Sequence, residues 1–392
     1  MISVFERKED CCGCTACEHI CPTKAVKMEL DQEGFLYPII NQEMCIDCGC
    51  CRSVCAFQNG YDKSKYFEVP IAYGVKHRND DVRIESRSGG MFTALSDKII
   101  SKGGVVFGVG YCNHFKVSHK KAINRNERDE FRGSKYVQSD LKDIFIEVEN
   151  ELINGKDVLF TGTPCQTAGL NRYLALKNIP VKNLLVCDLI CHGTPSPKLF
   201  KDYIEYLEKK HNDRISSFEF RNKKLFGWKD HRESYIVKDK TFSSKVYTNL
   251  FYEHSALRPS CYNCKYTNMV RPSDITLADF WGVDEIIKDF NDNKGVSLVF
   301  LNTIKGERLF DEVKEDIIYK DCTGLSFKHS RLKEPVKKPK HREIFWIDYH
   351  NKGFKFITKK YGGYGIKQLI KKFIKGFLLK VGVLKLIRNL QQ

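Results

Sequence analysis

Hydrophobic positions along the middle of the chain switch repeatedly between a helical and an extended period. Residues 91–101 carry apolar side chains at helical spacing and lead into a β-branched run at 105–109. Residues 141–153 repeat this ahead of an extended run at 158–161, and 166–176 ahead of 184–190, after which 197–209 is helical again. Strand, turn and helix in that order predict crossover units with parallel pairing. The segments from 215 to 246 are shorter and mixed, which predicts antiparallel hairpins in a second layer. Strands are expected at 275–280 and 296–302, and a late helix at 307–315. The fold class is therefore α/β (α+β).

The same periodicity returns at the end of the chain with a different polar face. Ile366, Leu369, Ile370, Phe373, Ile374, Phe377, Leu378 and Val381 recur at three- and four-residue steps, with Lys367, Lys371, Lys372 and Lys375 between them. This predicts an amphipathic helix. Residues 351–392 hold ten lysines and one arginine without an acidic residue, so +11 of the formal +16 sits there and only +5 on the other 350 residues. Such concentration argues against nucleic-acid binding, which needs a basic reading surface. Lysines interrupt the stripe too often for a bilayer span, but suit an in-plane position on an anionic membrane, each adding about 1 kcal/mol. A terminal helix packed on this protein or a partner fits the same pattern.

A chain of 392 residues is long for one domain. Cysteine spacing marks the first boundary. Cys11, Cys14, Cys17 and Cys21, with Pro22, spell CxxCxxCxxxCP, and Cys45, Cys48, Cys51 and Cys55 repeat the register with Ala56 in place of the proline. This is the pattern of two 4Fe-4S clusters, in which three thiolates grip one cubane and the fourth reaches across to the other. Cys11, Cys14, Cys17 and Cys55 are expected to hold one cluster, and Cys45, Cys48, Cys51 and Cys21 the second. Cys12 and Cys50 fall outside the register and are read as spectators. The expected units are 1–60, a two-cluster ferredoxin-type domain; 61–345, an α/β domain entered through a polar link near 61–68; and 346–392, the basic tail. Among 17 cysteines, many are accounted for as metal thiolates, and the opening MISVFERKEDCCGC has no apolar stretch of signal-peptide type. A reducing cytoplasm is expected.

Four later cysteines lie in or beside loops: Cys165 in TGTPCQ, Cys191 in LICHG, and Cys261 and Cys264 in RPSCYNC. If the strands before Cys165 and Cys191 are parallel neighbours, both thiols emerge at one sheet edge. The CxxC then completes a four-thiolate site for a third 4Fe-4S cluster or a structural zinc. The alternative is that Cys165 and Cys191 are small buried apolar residues. Cys112, Cys187 and Cys322 read as structural.

Two segments suit an anionic cofactor. Ser88, Gly89 and Gly90 precede a helix whose N-terminal N–H groups are free for phosphate. RGSKY, residues 132–136, combines glycine, hydroxyl, cation and aromatic ring. GTPCQ, with Thr163 and Pro164, is a third strand-to-helix turn of this type. Each is also an ordinary cap or turn when taken alone.

In order, the duplicated cluster motif, SGGMFTAL, GSKYVQS, TGTPCQTAGL, CHGTPS, RPSCYNC and DITLADFWG resemble the beta subunit of coenzyme F420-reducing hydrogenase and dehydrogenase, over residues 11–282. The resemblance implies an iron–sulfur flavoprotein in which clusters exchange single electrons with FAD and the flavin exchanges a hydride with an organic partner. That partner is the deazaflavin F420 in some members, while other relatives occur among polysaccharide-biosynthesis proteins. It implies a flavin site containing Ser88, Gly89, Gly90, Thr93, Ser134, Lys135 and Tyr136, and makes Cys165, Cys191, Cys261 and Cys264 further cluster ligands. Ala278 stands where glycine is expected in many relatives.

The expected function is an oxidoreductase, cytoplasmic or peripheral on the inner membrane face, passing electrons between a ferredoxin-like donor and an organic acceptor. Lys135, Tyr136 and His192 are the candidate proton donors. Two other functions fit the same residues: a non-catalytic electron-transfer subunit of a larger redox complex, and a carbohydrate-processing or assembly module with structural clusters.

Overall fold

The computed structural model describes residues 3–363, so the predicted helix at 366–381 lies outside the described residues. Two strands, β1 (Val26–Leu30) and β2 (Leu36–Ile40), form an antiparallel hairpin between the two cysteine runs. The remaining strands are β3 (Ile71–His77), β4 (Val105–Cys112), β5 (Lys116–Ala122), β6 (Val158–Thr161), β7 (Leu184–Leu189), β8 (Ser217–Glu219), β9 (Glu233–Val237), β10 (Lys240–Ser244), β11 (Ile275–Asp279), β12 (Ser297–Leu301) and β13 (Ile317–Asp321). Eight of them form one sheet in the order β13-β3-β12-β11-β7-β6-β4-β5. Its centre, β4-β6-β7-β11, is parallel; β5 on one side and β12, β3 and β13 on the other are antiparallel.

The parallel centre arises from the helical runs between its strands. Ile144–Ile153 returns the chain to β6, and Pro164–Leu176 carries it from β6 to β7. Pro164 takes the first helical position, where a missing N–H costs nothing. β8, β9 and β10 form the predicted antiparallel second layer, and its core is shared with the Pro197–His211 and Arg342–Lys352 helices. The late helix begins earlier than its periodicity suggests, at Ile304–Glu312, because Thr303 caps it by accepting from the Gly306 N–H at 3.2 Å.

The cysteine-rich N-terminal segment does not stand apart. Cys14, Ala16, Cys17, Val54 and Phe57 share one apolar cluster with Phe107, Phe145 and Phe160 of the large sheet and its helices. Arg342 fixes the hairpin turn from the other side, donating from Nη1 to Glu33 at 2.8 Å.

Candidate functional site

The two N-terminal cysteine loops are wound alike. Gly13 and Thr15 in the first, and Asp47 and Gly49 in the second, occupy the same two positions after the leading cysteine, and all four have positive φ. Glycine takes this conformation without strain at only one position in each copy. The resulting curl turns successive thiols toward a common centre. Cys11, Cys14 and Cys17 line one concavity together with Cys55, and Cys45, Cys48 and Cys51 line another together with Cys21. Each concavity thus brings the last thiol of one run beside three of the other, and Cys12 and Cys50 line them as well. The first group is largely buried, whereas Cys48 of the second is exposed.

β6 and β7 are parallel neighbours, so the turns that follow them emerge side by side. There Cys191 lies within electrostatic reach of Cys261, Cys165 and Cys264. The Gly193 N–H donates to Cys191 Sγ, and the Thr194 N–H to Cys261 Sγ, each at 3.4 Å. The loop bearing Cys264 is fastened to the end of β7 by Arg271, whose guanidinium meets Asp188 at 3.0 Å and also holds the carbonyls of Leu189 and Tyr266. Among the described residues, no three His, Cys, Asp or Glu side chains close around a single-ion position. A cubane spreads its thiolates over its corners instead.

Cys12, expected to be a spectator, occupies the space between two of these groups. Its buried thiol lies beside both Cys14 and Cys165, and its single S–H can donate to either. Such donation lowers the pKa of the partner, favouring thiolate at Cys14 and Cys165. Burial works the other way at Cys17 and Cys191, whose thiols are pushed well up.

The carboxyl ends of the four parallel strands open into a cavity of about 470 Å³, where Val109, Thr161, Leu189 and Asp279 lie on its wall. Of the expected cofactor residues, Ser88, Gly90, Ser134, Lys135, Tyr136 and Thr163 line it, as do Cys165, Cys191 and His192. Gly89, Thr93 and Pro164 stand behind the wall. A Cβ on Gly89 would come within 2.1 Å of the Val75 carbonyl, so only glycine permits the Ser88–Gly90 turn to press on β3. Thr93 is fully buried and accepts a hydrogen bond from Arg132 Nε at 3.2 Å. A second cavity of about 440 Å³ shares Arg87, Arg132, Ser134, Lys135 and Arg221 with the first.

Charge in the main cavity is predominantly positive. Arg87, Arg132, Lys135, Arg221, Lys328 and Arg331 face it, against the carboxylates of Asp188 and Asp279. Asp279 is already engaged: burial alone would raise it, but Arg221 at 2.7 Å, Arg87 and the Trp228 indole hold it down to about 2. Burial brings Lys135 down to about 7 although its ammonium donates to the Arg132 carbonyl at 2.9 Å. His192 is lowered to about 4, first by burial and then by His254, with which it makes an Nε2–Nε2 contact of 2.8 Å. Tyr136 accepts from Arg221 Nη1 at 3.2 Å.

Behind the cavity runs a chain of polar contacts. His119 Nδ1 meets the Ser139 hydroxyl at 2.9 Å, Gln166 Nε2 donates to that oxygen at 3.0 Å, and Thr163 donates from its backbone N–H to Gln166 Oε1 at 3.0 Å. Thr163 in turn contacts Cys165 Sγ at 3.2 Å. This network fixes the turn that carries Cys165.

Sequence reasoning missed Arg221, Asp279, Trp281 and Arg258. The first three belong to segments with no local motif beyond LADFWG, and they meet only because β11 ends beside the second layer. Arg258 stands in RPSCYNC, where the cysteines drew the argument.

Set beside known proteins, the chain matches no curated one. A solved structure of the F420-reducing NiFe hydrogenase complex from Methanosarcina barkeri, obtained by xenon derivatization, aligns with 64% of this chain and 82% of its own at 16% identity, with a TM-score of 0.47. The family model that describes the C terminus of the coenzyme F420 hydrogenase/dehydrogenase beta subunit matches residues 155–322, which include β6, β7, β11 and all four later cysteines. The likeness to the coenzyme F420 hydrogenase/dehydrogenase beta subunit is thus carried by residues 155–322.

Proposed function

We propose that this protein is an iron–sulfur flavoprotein oxidoreductase that passes electrons between a redox protein and an anionic organic partner. Cys45, Cys48, Cys51 and Cys21 would hold the outer 4Fe-4S cluster, Cys11, Cys14, Cys17 and Cys55 the inner one, and Cys165, Cys191, Cys261 and Cys264 a third. FAD would occupy the main cavity. Bound there, the clusters supply single-electron transfer and the flavin gathers two electrons for delivery as hydride.

The reading rests chiefly on Cys165. It belongs to the third thiol group, touches Cys12 beside the inner group, and forms part of the cavity wall. A continuous series from the exposed Cys48 to the cavity supports electron passage rather than separate structural metals.

The chain's own residues then have defined tasks. Backbone N–H groups of Gly193 and Thr194 stabilise thiolates at Cys191 and Cys261. Gly90, with φ of 92°, turns the chain so that the Met91–Ser101 helix begins at the cavity. Arg132 and Arg221 favour anionic groups, and the surplus of cations over free carboxylates favours a partner that is itself anionic. Lys135 Nζ, near 7, holds a proton that it can release at neutral pH.

Anaerobic purification with iron, acid-labile sulfide, zinc and flavin measured on one sample tests the proposal. About twelve irons and one FAD per chain are expected. About eight irons without flavin after FAD loading would favour an electron-transfer role alone, and zinc would reassign the four later cysteines to a structural site.

A further inference from the structure

Arg258 is 1% exposed, and among the described residues no carboxylate forms an ion pair with it. The other deeply buried arginines, Arg271 and Arg128, each meet an aspartate. Arg258 spends its hydrogen bonds on neutral groups and one sulfur. Nε donates to the Cys11 carbonyl at 2.8 Å, Nη1 to Gln138 Oε1 at 2.9 Å, and Nη2 to the Leu36 carbonyl at 2.9 Å and to Cys11 Sγ at 3.5 Å. Its guanidinium carbon stands 4.2 Å from the centre of the Tyr37 ring. Gly13 leaves room for it, since a Cβ there would lie 2.7 Å from Nη1.

A buried guanidinium without a counterion is costly, and carbonyl dipoles do not neutralise it. Of the ionisable groups around it, the Tyr37 phenol is raised by burial and stays neutral, which leaves thiols to carry negative charge: Cys11 first, with Cys14 and Cys165 also within electrostatic reach. We propose that Arg258 is the fixed countercharge of the cluster held by Cys11, Cys14, Cys17 and Cys55, and that it raises the reduction potential of that cluster. The inference rests on the cluster assignment made above. Burial makes added negative charge on a cluster harder to hold, whereas a nearby cation and an N–H bond to sulfur make it easier. When one electron passes inward, the outer cluster is oxidised by one electron and the inner reduced by one, with no proton moved. Arg258 favours that direction because, among the described residues, no buried cation lines the outer group; Arg52 near it is exposed and donates to the Ser3 carbonyl. Arg258 acts through Cys11 and is a positioning residue.

The test is an anaerobic potentiometric titration of the full chain with dithionite, followed by electron paramagnetic resonance, with Cys48→Ala used to identify the outer-cluster signal. Arg258→Gln should shift the inner cluster's oxidised-to-reduced ratio at least tenfold toward oxidised at a given potential, equal to about 59 mV for a one-electron couple, and leave the outer cluster unchanged. Gln138→Glu, which places a carboxylate against Nη1 while keeping the arginine, should shift the same signal in the same direction. It serves also if Arg258→Gln fails to load clusters. Arg258→Lys keeps the charge and should recover most of the shift. Absence of cluster signals in the unaltered protein would overturn the cluster assignment. Normal signals with an unmoved inner potential in Gln138→Glu, or an equal shift of both clusters, would overturn the role of Arg258 alone.

Discussion

Gly169 approaches Cys14 so closely that a Cβ built on it would stand 2.8 Å from the Cys14 sulfur. This contact joins the middle of the Pro164–Leu176 helix to the first cysteine loop, so the helix that carries Cys165 also forms the backing of the inner thiol group. Gly169→Ala gains about 1 kcal/mol of helix propensity but adds a methyl where Cys14 must stay in place to serve as the proposed cluster ligand. Overpacking costs about 1–3 kcal/mol, so the loss wins. The expected outcome is reduced iron and sulfide per chain with the helix content by circular dichroism retained; full iron loading would contradict the contact.

A second prediction concerns acid stability. His119 is buried, stacked on Phe160 at 5.5 Å, and meets the Thr161 carbonyl through Nε2 at 3.1 Å. That carbonyl needs an N–H, so the neutral ring donates from Nε2 and accepts from Ser139 at Nδ1. Burial lowers the histidine to about 4. Between pH 6.5 and 4 the unfolded chain therefore binds a proton that the folded chain does not, and stability falls as pH drops through that window. The loss is about 3 kcal/mol. Urea titrations at pH 7 and 4.5 should show a smaller difference for His119→Gln than for the unaltered protein. An unchanged difference would remove His119 as the source.

How much of this was legible in the sequence depends on the range of each interaction. The helix over Met91–Ser101 and the strand over Val158–Thr161 have the bounds their periodicity predicts, because local patterning and local burial agree there. β3 and β13 gave no comparable signal. β3 pairs with β12 on one side and β13 on the other, each across more than two hundred residues of sequence, and side-chain alternation does not specify such partners. The same division holds in the site. Cluster-type spacing is legible because three of the proposed ligands come from one short loop. Cys12, Gly169 and Arg258 matter only through neighbours brought together by the fold, and nothing in their local sequence distinguishes them from a spectator, a helix glycine and a loop arginine.

Asp279 provides a third prediction. It is the carboxylate that Arg221 and Arg87 share at the cavity wall, at 2.7 Å and 3.9 Å. Asp279→Asn keeps the shape and removes the charge, leaving both guanidiniums uncompensated. Breaking a buried pair in this way costs on the order of 3 kcal/mol. Because Asp279 is held down to about 2, its contribution is present above the ordinary carboxylate range near 4 and lost as pH falls through 2. Denaturant unfolding at pH 7 should therefore reveal the full deficit in Asp279→Asn. A deficit below about 1 kcal/mol would mean that water already screens the pair as at an exposed site.

Cys12 and Cys165 separate a ligand from a neighbour in the last prediction. Cys12 is buried and Cys165 partly so, side by side in the thiol-rich junction, so proximity alone does not say which binds iron. Their surroundings differ. Cys165 sits at the start of a helix, beside Thr163, facing Cys191, Cys261 and Cys264, and its thiol is lowered by the bond from Cys12. Cys12 has its own thiol pushed well up, which keeps its proton in place, and that single S–H can turn to Cys165 or to Cys14. A donor thiol stabilises adjacent thiolates without joining the metal. Cys165→Ala should then lower iron by about four per chain, whereas Cys12→Ala should retain the iron. Loss of that S–H donor in Cys12→Ala should also lower the potentials of the inner and third clusters, since bonds to sulfur stabilise the reduced state. Serine in place of Cys12 keeps a donor and should restore the potentials in part. If Cys12→Ala loses as much iron as Cys165→Ala, Cys12 is itself a ligand, and the assignment of four thiols to each group must be redrawn around it.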